Sequence, residues 1–191
     1  MPFLSRSRLA AALLAVAMAA CTTAAAPRFD PSAPCPPDGR GSGAYPELEA
    51  RVPMTFDGRA AERRDSGRNC SDENLATLKA RGISEIRFAG AIWSDGAPRG
   101  VTLAVFSAPG LQPAWMAEWY QATAEVGRRT NDIQLTPREV QGRPGFRLQL
   151  VNGDAHQVVI VWPSADGTVT QVVIASDEPN PRIEQAIAAF P

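Results

Sequence analysis

Apolar positions divide the chain into three unequal parts. Residues 9–20, LAAALLAVAMAA, are apolar without interruption. Residues 22–45, TTAAAPRFDPSAPCPPDGRGSGAY, contain five prolines, many small residues and almost no bulky apolar side chains. From Pro46 onward, apolar residues return with periods of 2 and 3.6, the signatures of strands and helices. A domain spanning 46–191 behind a Pro-rich tether is the organisation this predicts, since the middle stretch alone offers too little apolar surface for a core.

Within the domain the elements follow in order. GRAAERR (58–64) reads as a strand. Ser71 caps a helix over 72–80, with Asp72 and Glu73 in its first turn, Leu75 and Leu78 facing inward, and Gly82 as the stop. EIRFAGAIW (85–93) alternates, with Ile86, Phe88 and Ile92 on one side. VTLAVFSA (101–108) is apolar on both faces, which requires cover on both. LQPAWMAEWYQATAEVGRR (111–129) is the strongest helix: Pro113 suits its first turn, and Trp115, Met116, Trp119, Tyr120 and Val126 share a face. The last third is rich in hairpins, marked by QGRPG, Asn152-Gly153 and Asp166-Gly167. NPRIEQAIAAF closes the chain as a helix, with Asn180 as cap and Ile183, Ile187 and Phe190 on one face. Hairpins outnumber crossovers, so the fold class expected is α+β, a mostly antiparallel sheet covered by helices.

The N-terminus concerns address. Arg6 and Arg8 precede the apolar run, and twelve helical residues rise only about 18 Å, short of a hydrocarbon core about 30 Å thick. Residues 1–20 therefore read as a secretory signal peptide. Met18-Ala19-Ala20-Cys21 resembles a bacterial lipobox, although Leu is usual where Met18 stands. The resemblance implies a lipoprotein whose Cys21 is acylated and becomes the mature N-terminus, exported and held at a cell membrane or outer membrane. Ordinary cleavage after a small-x-small site, Ala17-Met18-Ala19 or Ala24-Ala25-Ala26, is the rival reading and gives a soluble secreted protein.

Three cysteines are present. With Cys21 acylated or removed, Cys35 and Cys70 remain, and outside the cytoplasm two cysteines usually pair. A reactive thiol or a metal site is the competing reading, but neither cysteine stands in a CxxC pair or beside the histidine. Export also removes Arg6 and Arg8, taking the formal net charge from −1 to −3. A weakly acidic chain is not built for nucleic acid.

The order of strands and helices, with GVTLAVFSAPGLQPAW, EVQGRPGFRLQL and the closing IEQAIAAFP, resembles the PsbP-like fold and small bacterial lipoproteins of the LpqN type over roughly residues 100–191. It implies an α/β/α sandwich and an accessory, non-enzymatic role beside larger envelope assemblies. It transfers no site residues.

Candidate chemistry is sparse. His156 is the only histidine; it could act as a base near Asp154, but no GxSxG elbow accompanies it, and a solvent-facing hairpin residue explains it. Asp65, Asp72 and Glu73 could form a carboxylate pair, or simply cap a helix and solvate a surface. Motifs for zinc, calcium and nucleotides are absent, so no catalytic residue, metal or cofactor is assigned. Arg59, Arg63, Arg64 and Arg68 form one basic group and Arg128 and Arg129 another, fit for anionic headgroups or for a helix C-terminus. The face Trp115, Met116, Trp119 and Tyr120 is the candidate binding surface. Such stripes pack cores, dock partner proteins or line pockets. Two functions follow: a membrane-anchored domain that binds another envelope protein, or a carrier or sensor of an apolar ligand, which requires a closed pocket above about 300 Å³.

Overall fold

The computed structural model describes residues 29–35 and 37–191. The expected signal peptide and Cys21 lie outside the described residues. The molecule is built on an eight-stranded sheet in which every pairing is antiparallel, in the order β1-β4-β5-β6-β10-β9-β8-β7. The strands are β1 (Gly39–Gly41), β4 (Arg63–Asn69), β5 (Ile86–Ser94), β6 (Gly100–Ser107), β7 (Thr130–Val140), β8 (Arg143–Asn152), β9 (Ala155–Pro163) and β10 (Thr170–Ser176). A small separate hairpin joins β2 (Thr55–Phe56) to β3 (Arg59–Ala60). Among the described residues five helices complete the mixed α+β fold: α1 (Pro46–Glu49), α2 (Asp72–Leu75), α3 (Thr77–Ala80), α4 (Pro113–Glu125) and α5 (Asn180–Ala188).

Two hydrophobic clusters form, one against each face of the sheet, because the period of a strand sends alternate residues to opposite sides. Val101, Leu103 and Val105 of β6 meet Leu48 of α1 and Ile183, Ala186 and Ile187 of α5. Ala104 and Phe106 of the same strand meet Leu75 of α2, Leu78 of α3 and Met116 of α4. The two-faced apolar content of 101–108 thus has its partners on both sides. In β5 the packing differs from expectation. Ile86 is buried, but Ile92 is 39% exposed, and the opposite row Ala89, Ala91 and Trp93 is fully buried. Two small alanines carry little weight in an alternation count, yet they let helices approach closely.

Local signals hold at several termini. The Ser71 hydroxyl accepts from the Asn74 N–H and caps α2, and Gly82 takes φ +84° beyond α3. The helix expected over 72–80 is broken between them, since Ala76 adopts φ +44° and separates α2 from α3. Asn180 does not cap α5; its side-chain oxygen accepts from Arg147 at 3.0 Å instead.

The largest departure lies in the Pro-rich stretch. Its described part is not a free tether. β1 forms the edge of the sheet and pairs with β4 through Gly39–Arg68, Arg40–Gly67 and Gly41–Ser66. The ring of Phe29 occupies the space above Gly39 where a side chain would stand, and a Cβ on Gly67 would sit 2.3 Å from the Gly39 carbonyl oxygen. Tyr45, at the end of this stretch, is 4% exposed and belongs to the core. The glycines that read as linker are therefore small because chain crosses over them. The ordered domain begins before Pro46 for this reason.

Three contacts fix this arm. The sulfurs of Cys35 and Cys70 are 2.10 Å apart, a bonded distance. Arg68, 3% exposed, donates to the carbonyls of Pro31, Asp30 and Pro34 at 3.2–3.3 Å and stands 5.3 Å from the Phe29 ring. Asp38 accepts from the Ser71 N–H at 2.9 Å and the Asn74 amide at 2.6 Å, and from the Cys70 N–H and Ser71 hydroxyl.

Burial pushes the pKa of Asp38 up, but these donors outweigh it and hold the carboxyl at about 2. The unfolded carboxyl titrates near 3.9. Its stabilisation is therefore complete above about pH 4 and is lost as pH falls through about 2. Asp38 is partly exposed, so solvent screening limits the effect. Asp38→Asn is expected to lower stability at pH 7 by about 1–2 kcal/mol and to flatten its decline between pH 4 and 2. Urea midpoints across that range check this, and parallel curves for the two proteins would refute it.

Candidate functional site

The aromatic helix α4 carries the expected surface, Trp115, Met116, Trp119 and Tyr120. Pro113 opens α4 near its first turn, and the helix runs thirteen residues across the face that carries Phe106. Met116 is sealed at 0% exposure and belongs to no surface. Trp115 and Trp119 are partly buried against the core. The Trp119 indole donates to the Asn74 carbonyl at 3.0 Å, and its ring stacks edge-on with Tyr120 at 4.9 Å. Phe106 meets both rings, at 6.3 and 6.2 Å. Arg81 covers Trp115 at 5.7 Å while pairing with Glu118 at 2.8 Å. Val126 departs from this face and is 81% exposed, because it lies past the last helical residue. The stripe is thus chiefly packing, with one member, Tyr120, reaching further.

Beyond Tyr120 lies a groove of about 590 Å³. Register explains its floor. Leu148 pairs with Val159, and Val159 with Ile174, so the three side chains form one row across β8, β9 and β10. The next row is Leu150, Gln157 and Ser176, tied by a 3.2 Å hydrogen bond from the Gln157 amide to the Ser176 hydroxyl. Leu148, Leu150 and Val159 are already buried in the cluster with α4, and beyond the end of α4 at Glu125 the half-buried Gln157 and Ile174 face the groove. Tyr120, Thr123 and Ala124 make one wall, and the 127–130 turn closes an end. The carrier reading required a closed pocket lined by the helix that carries Trp115 and Trp119, and α4 does wall this one through Tyr120, Thr123 and Ala124. The space found is open on one side, and neither tryptophan lines it.

Arg128 and Arg129 stand at its rim, both exposed. Among the described residues they are the two arginines whose side chains engage no carboxylate, carbonyl or amide. Every other described arginine has an ion pair or a hydrogen bond, for example Arg51 to Asp166 at 2.8 Å, Arg59 to Asp95 at 2.7 Å and Arg182 to Asp57 at 2.7 Å. Burial raises the pKa of the Tyr120 phenol, which has no hydrogen-bond partner among the described residues. At the pH of any cell it is a neutral O–H.

The other expected groups do not converge. His156 is an exposed β9 residue whose N–H donates to Asp177 at 2.8 Å. Asp65 pairs with Arg63 at 2.7 Å, Asp72 with Lys79, and Glu73 is exposed on α2. Arg59, Arg63, Arg64 and Arg68 have separate partners: Asp95, Asp65, the Glu49 carbonyl at 2.8 Å, and the arm. Among the described residues no three His, Cys, Asp or Glu side chains are placed to hold a metal ion, and no helix is long and apolar enough to cross a membrane.

The sequence singled out Arg128, Arg129 and Tyr120 but not the floor. Leu148, Val159 and Ile174 come from three strands, and only pairing register makes them neighbours. Comparison with protein families, with curated proteins and with solved structures finds no match to this chain.

Proposed function

We propose that this chain is an exported, lipid-anchored, non-catalytic binding domain of the bacterial cell envelope, and that its binding element is the groove beside α4. The single observation that carries the binding element is that apolar floor: a row of Leu148, Val159 and Ile174 beneath about 590 Å³ of open space. A volume of that size falls within the range of small-molecule sites. The lipobox-like Met18-Ala19-Ala20-Cys21 supports the anchor. The two helical layers, α1 with α5 and α2–α4, support an α/β/α sandwich of the PsbP-like kind. An accessory role toward an envelope protein is kept within the same reading; Trp115 and Trp119 are partly buried against α2, Arg81 and Phe106, which leaves less of them to offer a partner.

Intact mass of the membrane-extracted protein under non-denaturing conditions tests this. A diacylglycerol mass on Cys21 together with a non-covalent adduct is the expected result. An unacylated chain that starts after residue 19 or 26 would remove the anchor. A protein free of adduct, and unable to take up any amphiphile afterwards, would remove the ligand.

A further inference from the structure

We propose that the groove takes a single-chain anionic amphiphile of the fatty-acid type, with its chain along the Leu148–Val159–Ile174 row and its carboxylate against Arg128 and Arg129. This rests on the reading of the groove as a binding site and names the class of ligand it holds.

Three observations converge. The floor is apolar across three adjacent strands, with Leu148 and Val159 packed beneath it and Ile174 half-buried at its surface, so methylene groups lie on Ile174 and against Tyr120 and Ala124 with little to hydrogen-bond. Burying each CH₂ is worth about 0.8 kcal/mol, so the chain supplies the affinity. The rim supplies charge. Arg128 and Arg129 have no counter-ion among the described residues, where every other arginine is engaged. Glu125 and Asp154 flank the groove in sequence but do not line it. A guanidinium pairs with a carboxylate through two parallel hydrogen bonds, and such charge-assisted bonds are roughly twice as strong as neutral ones.

Arg129 is also held in place. Its carbonyl accepts the Gly153 N–H at 2.8 Å, and a Cβ on Gly153 would come within 2.6 Å of its Nη2. The guanidinium therefore lies over the Asn152-Gly153 turn, at the same end of the groove as the Leu150–Gln157 row. The partnerless Tyr120 phenol on the α4 wall adds a neutral donor. A purely apolar ligand would leave all of these unused.

Isothermal titration of the purified full chain decides the matter. The probes are myristate, monomyristin, which has the same chain and an uncharged head, and inorganic phosphate, all below micelle-forming concentrations. Myristate is expected to bind at least tenfold tighter than monomyristin, and phosphate not measurably. In Arg128→Gln/Arg129→Gln, myristate is expected to weaken tenfold or more while monomyristin is unchanged. Both arginines are exposed, so this variant folds regardless of the outcome. Ala124→Phe fills the groove from α4 and is expected to weaken both lipids, with its thermal midpoint measured alongside. Equal binding of the two lipids, untouched by the arginine variant, would overturn the anionic head and leave the groove standing. Phosphate binding as tightly as myristate would overturn the amphiphile. If neither lipid binds, or if a folded Ala124→Phe protein binds both as before, the groove itself fails as the site.

Discussion

Breaking the Cys35–Cys70 link, by reductant or by Cys35→Ser/Cys70→Ser, is expected to lower the stability of the domain by about 3–4 kcal/mol. The two cysteines are 35 residues apart, and closing a loop of that length removes an equivalent amount of entropy from the unfolded chain. For a domain of this size each kcal/mol moves the thermal midpoint by about 2–4 °C, so a fall of about 10 °C follows. The loss has a local form too. Without the link, the arm is held by Arg68, by Asp38 and by the three residue pairs of β1. Amide exchange should therefore accelerate first in Gly39–Gly41, well before β6 and β10. Thermal unfolding with and without reductant measures the first effect and hydrogen exchange the second. A change below 1 kcal/mol would mean that the arm contributes nothing to the fold.

Phe190→Ala is expected to cost about 3 kcal/mol, the low end of the range for emptying a phenylalanine site in a core. Phe190 follows α5 as the penultimate residue, yet it is 3% exposed and its ring meets Trp162 edge-on at 5.3 Å. Trp162 itself is fully buried, and its indole N–H has no partner among the described residues. Water entering the vacated space could accept that N–H, which keeps the cost at the low end. The thermal midpoint should fall by about 6–12 °C. A fall under 2 °C would show that the end of the chain does not close this side of the core.

Much of the architecture was legible because it is written in local signals. Asn152-Gly153 and Asp166-Gly167 each join adjacent antiparallel strands, and both glycines have positive φ, +66° and +67°. Ile183, Ile187 and Phe190 share a buried face at helical spacing. Failures trace to tertiary context. Phe29 and the glycines of β1 look like linker because their partners lie about 30–40 residues on, at Arg68 and Gly67. Ala76 gives no sign of its positive φ, since alanine is the best helix former. Asn180 had the chemistry of a cap, but Arg147 from β8 claims its oxygen. The candidate site was half legible. Tyr120, Arg128 and Arg129 follow one another on a single segment, whereas the floor beneath them exists only once three strands are in register.

The covalent link between Cys35 and Cys70 also decides how the domain would carry tension. Everything between them, β1, α1, β2, β3 and β4, lies inside a closed loop. A pull on the N-terminal side is borne first by the contacts of residues 29–34 with Arg68 and Gly39; once these yield, it bypasses the loop and enters the domain at Cys70, between the end of β4 and the start of α2. After that the disulfide shields β1 and β4, and the next element to feel the strain is α2, the helix whose Asn74 carbonyl receives Trp119. Drag on a tethered copy would thus load the edge of the sheet first and then, through Cys70, α4 and the wall of the groove.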